Sequence, residues 1–178
     1  IAFDDALLTP RFSDISSRSE ISLAQNLGKL KFDLPIASSP MDTVTESAMS
    51  IALDRCGGLG IIHRYNTIRE QCILIKKVRD KGVENIAAAI GVSENEFIDR
   101  ACALKKAGAN ILCVDIAHGH HSLMRHALGV LKATFGTSVH IMAGNVATAE
   151  GFRDLVSWGA DSVRVGIGGG SICSTRIQ

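Results

Sequence analysis

The chain has 178 residues, 46% of them apolar, and its 19 basic and 18 acidic side chains leave a formal net charge of +1. That length suits one domain with a sizeable core rather than two, and the balanced charge excludes the basic field of a nucleic-acid binder. The apolar runs stop far short of the roughly 18 residues a membrane helix requires, and no signal peptide precedes the first strand, so the expectation is a soluble, cytoplasmic protein with neither membrane nor nucleic acid as partner.

Short apolar runs recur at Leu34–Ala37, Leu59–Ile62, Ile86–Ile90, Ile111–Val114, Val139–Ala143 and Ser162–Val165, and their first residues lie 23 to 28 positions apart. Each run is continuous rather than alternating, the pattern of a strand buried on both faces in a parallel sheet. Between them, Thr43–Glu46, Thr67–Glu70 and Ser93–Glu96 each read as a capping box opening a helix. Gly57, Gly82, Gly108 and Gly159 are placed to end four helices, and Leu123, Met124, Ala127, Leu128 and Leu131 form a helical stripe for burial against the sheet.

Strand-helix units near 25 residues fit either an open doubly wound sheet or a (β/α)8 TIM barrel. No Gly-x-Gly-x-x-Gly follows the first strand, whereas polar residues gather where several strands end: Ser38 and Ser39, His63 and Arg64, Asp115, Asn145, and a glycine loop. A site assembled from many strand ends is the habit of the barrel. About six of the eight units are present. The chain, beginning at Ile1, is therefore expected to be a piece of a longer protein: one barrel domain over 1–178, stopping after the sixth strand and its loop.

The five cysteines are odd in number, widely spaced and without a Cys-x-x-Cys pair, so neither a disulfide framework nor a zinc site is expected and a reducing compartment is. Cys56, Cys72, Cys102 and Cys113 fall in periodic apolar segments, where packing is their expected role. Cys173 differs. It follows four glycines in the five residues 166–170, a stretch whose backbone can approach a ligand closely, and Arg176 nearby favours the thiolate. Asp115 could equally cap the following helix or serve a site, and Ser39 could be a simple loop hydroxyl. His118, His120 and His121 lack the spacing that would aim them at one metal ion. Arg164, a charge ending an apolar strand, calls for a partner.

Five stretches in this order, Ser38–Glu46, Gly57–Arg64, Asp115–His120, Ala143–Thr148 and the cysteine loop, resemble the catalytic barrel of the IMP dehydrogenase and GMP reductase family over essentially the whole chain. The resemblance implies that Cys173 is the nucleophile toward C2 of a purine nucleotide monophosphate and that Thr175 assists proton transfer, with Asn145 and Arg164 lining the reaction centre. Ser39, Met41 and Ser171 match nucleotide contacts; Asp115, His118 and Gly166 match the NAD side. The carbonyls of Gly168, Gly170 and Cys173 match half of a monovalent-cation (K+) site, completed in the family by a neighbouring subunit of a homotetramer. Gly169 stands where the family usually has proline or serine, and the regulatory CBS-domain insert common between the second helix and third strand is absent at Lys77–Glu84. Ser39-Pro40-Met41-Asp42 and Ser171-Ile172-Cys173 look like the dehydrogenase versions, since reductases tend to have Ala-Asn for Ser-Pro and valine before the cysteine. The expected function is NAD-dependent oxidation of IMP to XMP; the alternatives are NADPH-dependent reductive deamination of GMP to IMP and a non-catalytic nucleotide-binding barrel or inert fragment.

Overall fold

The computed structural model describes residues 7–93 and 96–167. After a short 3-10 turn at Arg18–Glu20, an antiparallel hairpin of β1 (Gln25–Leu27) and β2 (Leu30–Phe32) precedes the main sheet. That sheet is six-stranded, parallel and in sequence order: β3 (Ala37–Ser38), β4 (Leu59–Ile62), β5 (Ala87–Ile90), β6 (Ile111–Asp115), β7 (His140–Val146) and β8 (Ser162–Val165). Helices α1 (Ser47–Arg55), α2 (Ile68–Arg79), α3 (Phe97–Ala107), α4 (Ser122–Phe135) and α5 (Ala149–Ser157) cross between successive strands. The sheet is curled, as in a partial TIM barrel. No helix among the described residues is long and apolar enough to cross a membrane.

Two apolar layers account for the continuous strand runs. Ile62, Ala88, Ile90, Leu112, Val114, Ile141 and Ala143 face the helices, while Leu59, Ile61, Ala87, Ala89, Ile111, Cys113 and Met142 face inward. The hairpin, which the sequence reading did not anticipate, packs Leu27, Leu30 and Phe32 onto this inner layer. Its strands are too short for periodicity to reveal.

The first strand is shorter than Leu34–Ala37 suggests. Pro35 has no N–H to give a ladder, and Ile36 N bonds back to Leu34 O, so pairing begins only at Ala37. Of the three capping boxes, Thr67–Glu70 forms in full: Glu70 N bonds Thr67 Oγ1 at 3.2 Å and Thr67 N bonds Glu70 Oε2 at 2.9 Å. The other two do not. Thr43–Glu46 folds as a turn before α1, with the Thr45 hydroxyl donating to Ser39 O, and Glu96 spends its carboxylate on Arg100 as α3 starts one residue later. Gly57, Gly82, Gly108 and Gly159 do take positive φ beyond α1, α2, α3 and α5. Met124, Ala127, Leu128 and Leu131 are fully buried, but Leu123 is 37% exposed at the start of α4.

Cys56 and Cys102 are exposed, not packed; Cys72 is half-buried and Cys113 buried. Cys102 sits on the outer side of α3, whose buried positions include its neighbours Ala101 and Leu104, and Cys56 lies just past the end of α1. Gly60 is the tightest contact of the sheet with its helical cover: a Cβ there would lie 2.3 Å from Ser50 Cα of α1.

Candidate active site at the C-terminal strand ends

Inward-facing positions alternate along β6, β7 and β8, and the register puts Asp115 beside Gly144 and Gly144 beside Arg164. The three face one another across three strands. Because Gly144 has no side chain, Arg164 can reach over β7: a Cβ at Gly144 would lie 2.6 Å from Arg164 Cβ. The guanidinium thereby meets Asp115, Nη1 to Oδ1 at 2.5 Å, with Cys113 Sγ at 3.7 Å. Arg164 thus has the partner its position called for, and Asp115 bonds it rather than capping α4, where His121 Nδ1 accepts from Leu123 N.

Burial opposes the charge on Arg164, while Cys113 and Asp115 beside it favour that charge, and the result is a guanidinium held above its ordinary range. Burial also pushes the Cys113 thiol up to about 11, with Arg164 pulling the other way. Cys113 is therefore a neutral thiol at pH 7, and the Asp115 carboxylate is the effective counter-charge.

Asn145 follows a cis peptide bond after Gly144 and is only 7% exposed. Its Nδ2 donates to Gly166 O at 2.9 Å, and Gly166 N returns to Val146 O at 2.8 Å, so the end of β7 is clamped to the start of the glycine loop. Asn145 Oδ1 is buried with no partner among the described residues. A buried carbonyl oxygen without a donor is costly unless a ligand supplies one.

Ser39 and Met41 lie at the same end of the sheet, beyond β3 at its opposite edge. Ser39 is exposed and its carbonyl accepts from Thr45 Oγ1 at 2.6 Å and Met41 N at 2.9 Å. Met41 is 43% exposed. The structure therefore joins Asp115 to Arg164 and Asn145 to Gly166, and leaves Ser39 and Met41 presented on a separate loop. His118 is exposed and makes no side-chain hydrogen bond among the described residues. His120 turns to Asp154, Nε2 to Oδ2 at 2.8 Å, and packs on Trp158. The three histidines thus diverge, and the described residues hold no cluster of three metal-ligating side chains. Gly168, Gly170, Ser171, Cys173 and Thr175 lie outside the described residues.

The sequence reading missed Gly144 and Gln71. A glycine inside a strand is the signal of a close approach, and Gln71 is the polar member of a buried stripe with Ile75 and Val78 on α2. Gln71 Nε2 donates to His63 O and Ala89 O, both at 2.9 Å, tying the ends of β4 and β5 where their ladder has stopped.

Residues 1–178 match the family model described as the IMP dehydrogenase / GMP reductase domain. The inosine-5'-monophosphate dehydrogenase of Cryptosporidium parvum is 33% identical over 220 aligned positions, covering 99% of this chain and 54% of that protein. That of Borreliella burgdorferi is 34% identical over 227 positions, covering 99% and 55%. A GMP reductase of Streptococcus agalactiae is 35% identical over 181 positions, covering 99% and 53%. The chain spans about half the length of these relatives.

Proposed function

The chain belongs to the IMP dehydrogenase / GMP reductase family, whose members are oxidoreductases acting on purine nucleotide monophosphates, and within it we propose that this protein oxidises IMP to XMP with NAD. The observation that carries this reading is the polar set at the carboxyl-terminal strand ends, in which Arg164 pairs with Asp115 and Asn145 bonds Gly166 O.

The residues present fit a dinucleotide. Asp115 gives one oxygen to Arg164, and its Oδ2 accepts no bond from a described residue, leaving it for ribose hydroxyls. The orphaned Asn145 Oδ1 needs a donor that a ligand can bring. When bound, NAD supplies the acceptor for a hydride. Arg164 orients the Asp115 carboxylate, and Asn145 holds the Gly166 carbonyl against the end of β7. On this reading the Cys173 thiolate adds to C2 of the hypoxanthine, forming an S–C2 bond, and C2 then surrenders its hydrogen as hydride. Water attacks the same carbon, the S–C2 bond breaks and returns the thiolate, and Thr175 assists the proton that leaves the water. A K+ held by the Gly168, Gly170 and Cys173 carbonyls and a homotetramer are further expectations of the family resemblance.

Two dehydrogenase-like motifs, Ser39-Pro40-Met41-Asp42 and Ser171-Ile172-Cys173, support this branch. One observation favours GMP reductase as a second reading: the alignments with the two dehydrogenases run to 220 and 227 positions for the same 99% of the chain, against 181 for the reductase, so the dehydrogenases carry a stretch this chain lacks. An absent segment weighs less than two matching motifs. The deciding assay supplies IMP, NAD and K+, and separately GMP with NADPH. NADH with XMP is the expected product pair; ammonia from GMP with no NADH from IMP would assign the reductase.

A further inference from the structure

The loop between β3 and α1 presents Ser39 and Met41, both exposed, and among residues 41–46 only Thr45 is buried. A hydroxyl in that setting needs partners inside the protein. Thr45 finds them on the loop itself: its Oγ1 donates to Ser39 O at 2.6 Å and lies 2.7 Å from Ser38 Oγ at the end of β3. Its backbone is engaged in the same place. Thr45 N donates to Met41 O at 2.9 Å, and Thr45 O accepts from His63 N at 3.3 Å just past β4. One buried residue therefore touches the carbonyls of both Ser39 and Met41 and ties them to the ends of two adjacent strands.

Other bonds of the loop are local. Met41 N reaches Ser39 O at 2.9 Å, Val44 N reaches Met41 O at 3.0 Å, and Thr43 N reaches Asp42 Oδ1 at 2.9 Å. They curl the backbone without setting where it stands against the sheet. The Thr45 hydroxyl does set it, through Ser38, whose backbone is paired with Gly60 of β4. A second side-chain link, His63 Nε2 to exposed Glu46 Oε1, is 3.5 Å long and correspondingly weak.

We propose that Thr45 is a positioning residue for nucleotide recognition, its hydroxyl holding the loop at the height where Ser39 and Met41 meet a purine nucleotide monophosphate. The proposal rests on the reading above, in which this loop contacts the nucleotide. Valine at position 45 would keep the volume filled and delete only the hydroxyl. Ser39 O would retain Met41 N as a donor, so the loop is released without orphaning that carbonyl. Displacement of contacts by a fraction of an ångström to an ångström is costly to binding, and the dinucleotide side, built from Asp115 on β6, lies on another strand and should not feel it.

The test compares wild type, Thr45→Val, Thr45→Ser and Ser39→Ala in the complete protein, by equilibrium titration with IMP, GMP and the dinucleotide and by steady-state kinetics. Thr45→Val is expected to weaken nucleotide binding and raise the nucleotide KM about tenfold, with the dinucleotide KM held within about twofold and Thr45→Ser near wild type. Should Thr45→Val fold poorly, Ser38→Ala keeps the bond to Ser39 O, cuts the anchor to β3, and is expected to show the same selective rise. A lowered Tm with both KM values unchanged, or an equal rise in both, marks a merely structural threonine and overturns the proposal. Ser39→Ala separates the two layers of inference. Weakened nucleotide binding there, with wild-type binding in Thr45→Val, removes the positioning role alone; wild-type binding in both removes the loop from nucleotide recognition and the proposal with it.

Discussion

The two ends of the sheet treat their polar groups in opposite ways. At the amino-terminal end, Asn110 accepts from Ile86 N and donates to Glu84 O, both at 2.8 Å. Asp161 takes Lys132 Nζ at 2.7 Å and Ile141 N at 2.8 Å, and His140 Nε2 meets Ser162 Oγ at 2.8 Å. A cavity of about 420 Å³ opens there between the hairpin turn and the starts of β6 and β7, yet these polar groups beside it are already paired. At the carboxyl-terminal end lie the buried polar side-chain atoms without partners among the described residues: Arg64 Nε, Asn66 Oδ1 and Asn145 Oδ1. Unmet hydrogen bonds cost stability, so their segregation to one end marks where ligands complete the structure, while the other end is finished by the chain itself.

Substitutions at the two ends should therefore separate activity from stability. The largest effect is expected at Cys173→Ala, where turnover falls by roughly a thousandfold or more with nucleotide binding retained, as for loss of a covalent step. Initial rates and equilibrium titration of IMP check it, and turnover near wild type would remove Cys173 from the chemistry. Next, Arg164→Gln should lower kcat/KM for the dinucleotide about 10- to 100-fold, since a neutral amide holds the Asp115 carboxylate less firmly than the guanidinium fork. An unchanged NAD dependence would show that the pair only braces the barrel.

The amino-terminal end should give the reverse pattern. Asn110→Ala strips the Ile86 N–H and Glu84 carbonyl of their partners and should cost about 1–3 kcal/mol in chemical denaturation, while the activity of the folded fraction stays put. A drop in activity per folded molecule would erase the contrast. The smallest effect concerns pH. Burial lowers the His140 pKa below its usual 6.5, with Asp161 raising it and Lys132 lowering it. Its contribution to stability is therefore present above pH 6.5 and lost as pH falls through the depressed folded value, because the unfolded chain takes up the proton first. Thermal unfolding from pH 7.5 to 5 should show this slope and His140→Gln should flatten it; an unchanged slope would place the titration elsewhere.

Burial on both faces leaves no gap in an apolar run, as at Leu59–Ile62, which appears with the same bounds in the structure; Ser162–Val165 also keeps its bounds, although Val165 is exposed. Asp115 and Arg164 were each legible as strand-end charges, but their pairing was not, because it depends on a register in which Gly144 stands between them. Capping boxes misled at Thr43 and Ser93 for a related reason. Local patterns propose partners, and the carboxylates of Glu46 and Glu96 found others in His63 and Arg100. The capped start at Thr67 was legible because Glu70 had no stronger suitor. Gln71 escaped notice because its three partners, His63 O just past β4, Ala89 O of β5 and Arg100 of α3, are not adjacent in sequence.

Gly60 sets a boundary on redesign. With Ser50 Cα only 2.3 Å from where its Cβ would be, no side chain fits between β4 and α1 unless the helix lifts away. The Ser39–Glu46 loop runs straight into that helix and is bonded to it, through Ser50 N to Glu46 O at 3.0 Å. An engineer seeking to reshape that loop can exchange exposed side chains such as Met41, but must treat position 60 as a fixed pivot. Even a methyl group there would tilt the loop and its neighbouring helix as a single lever.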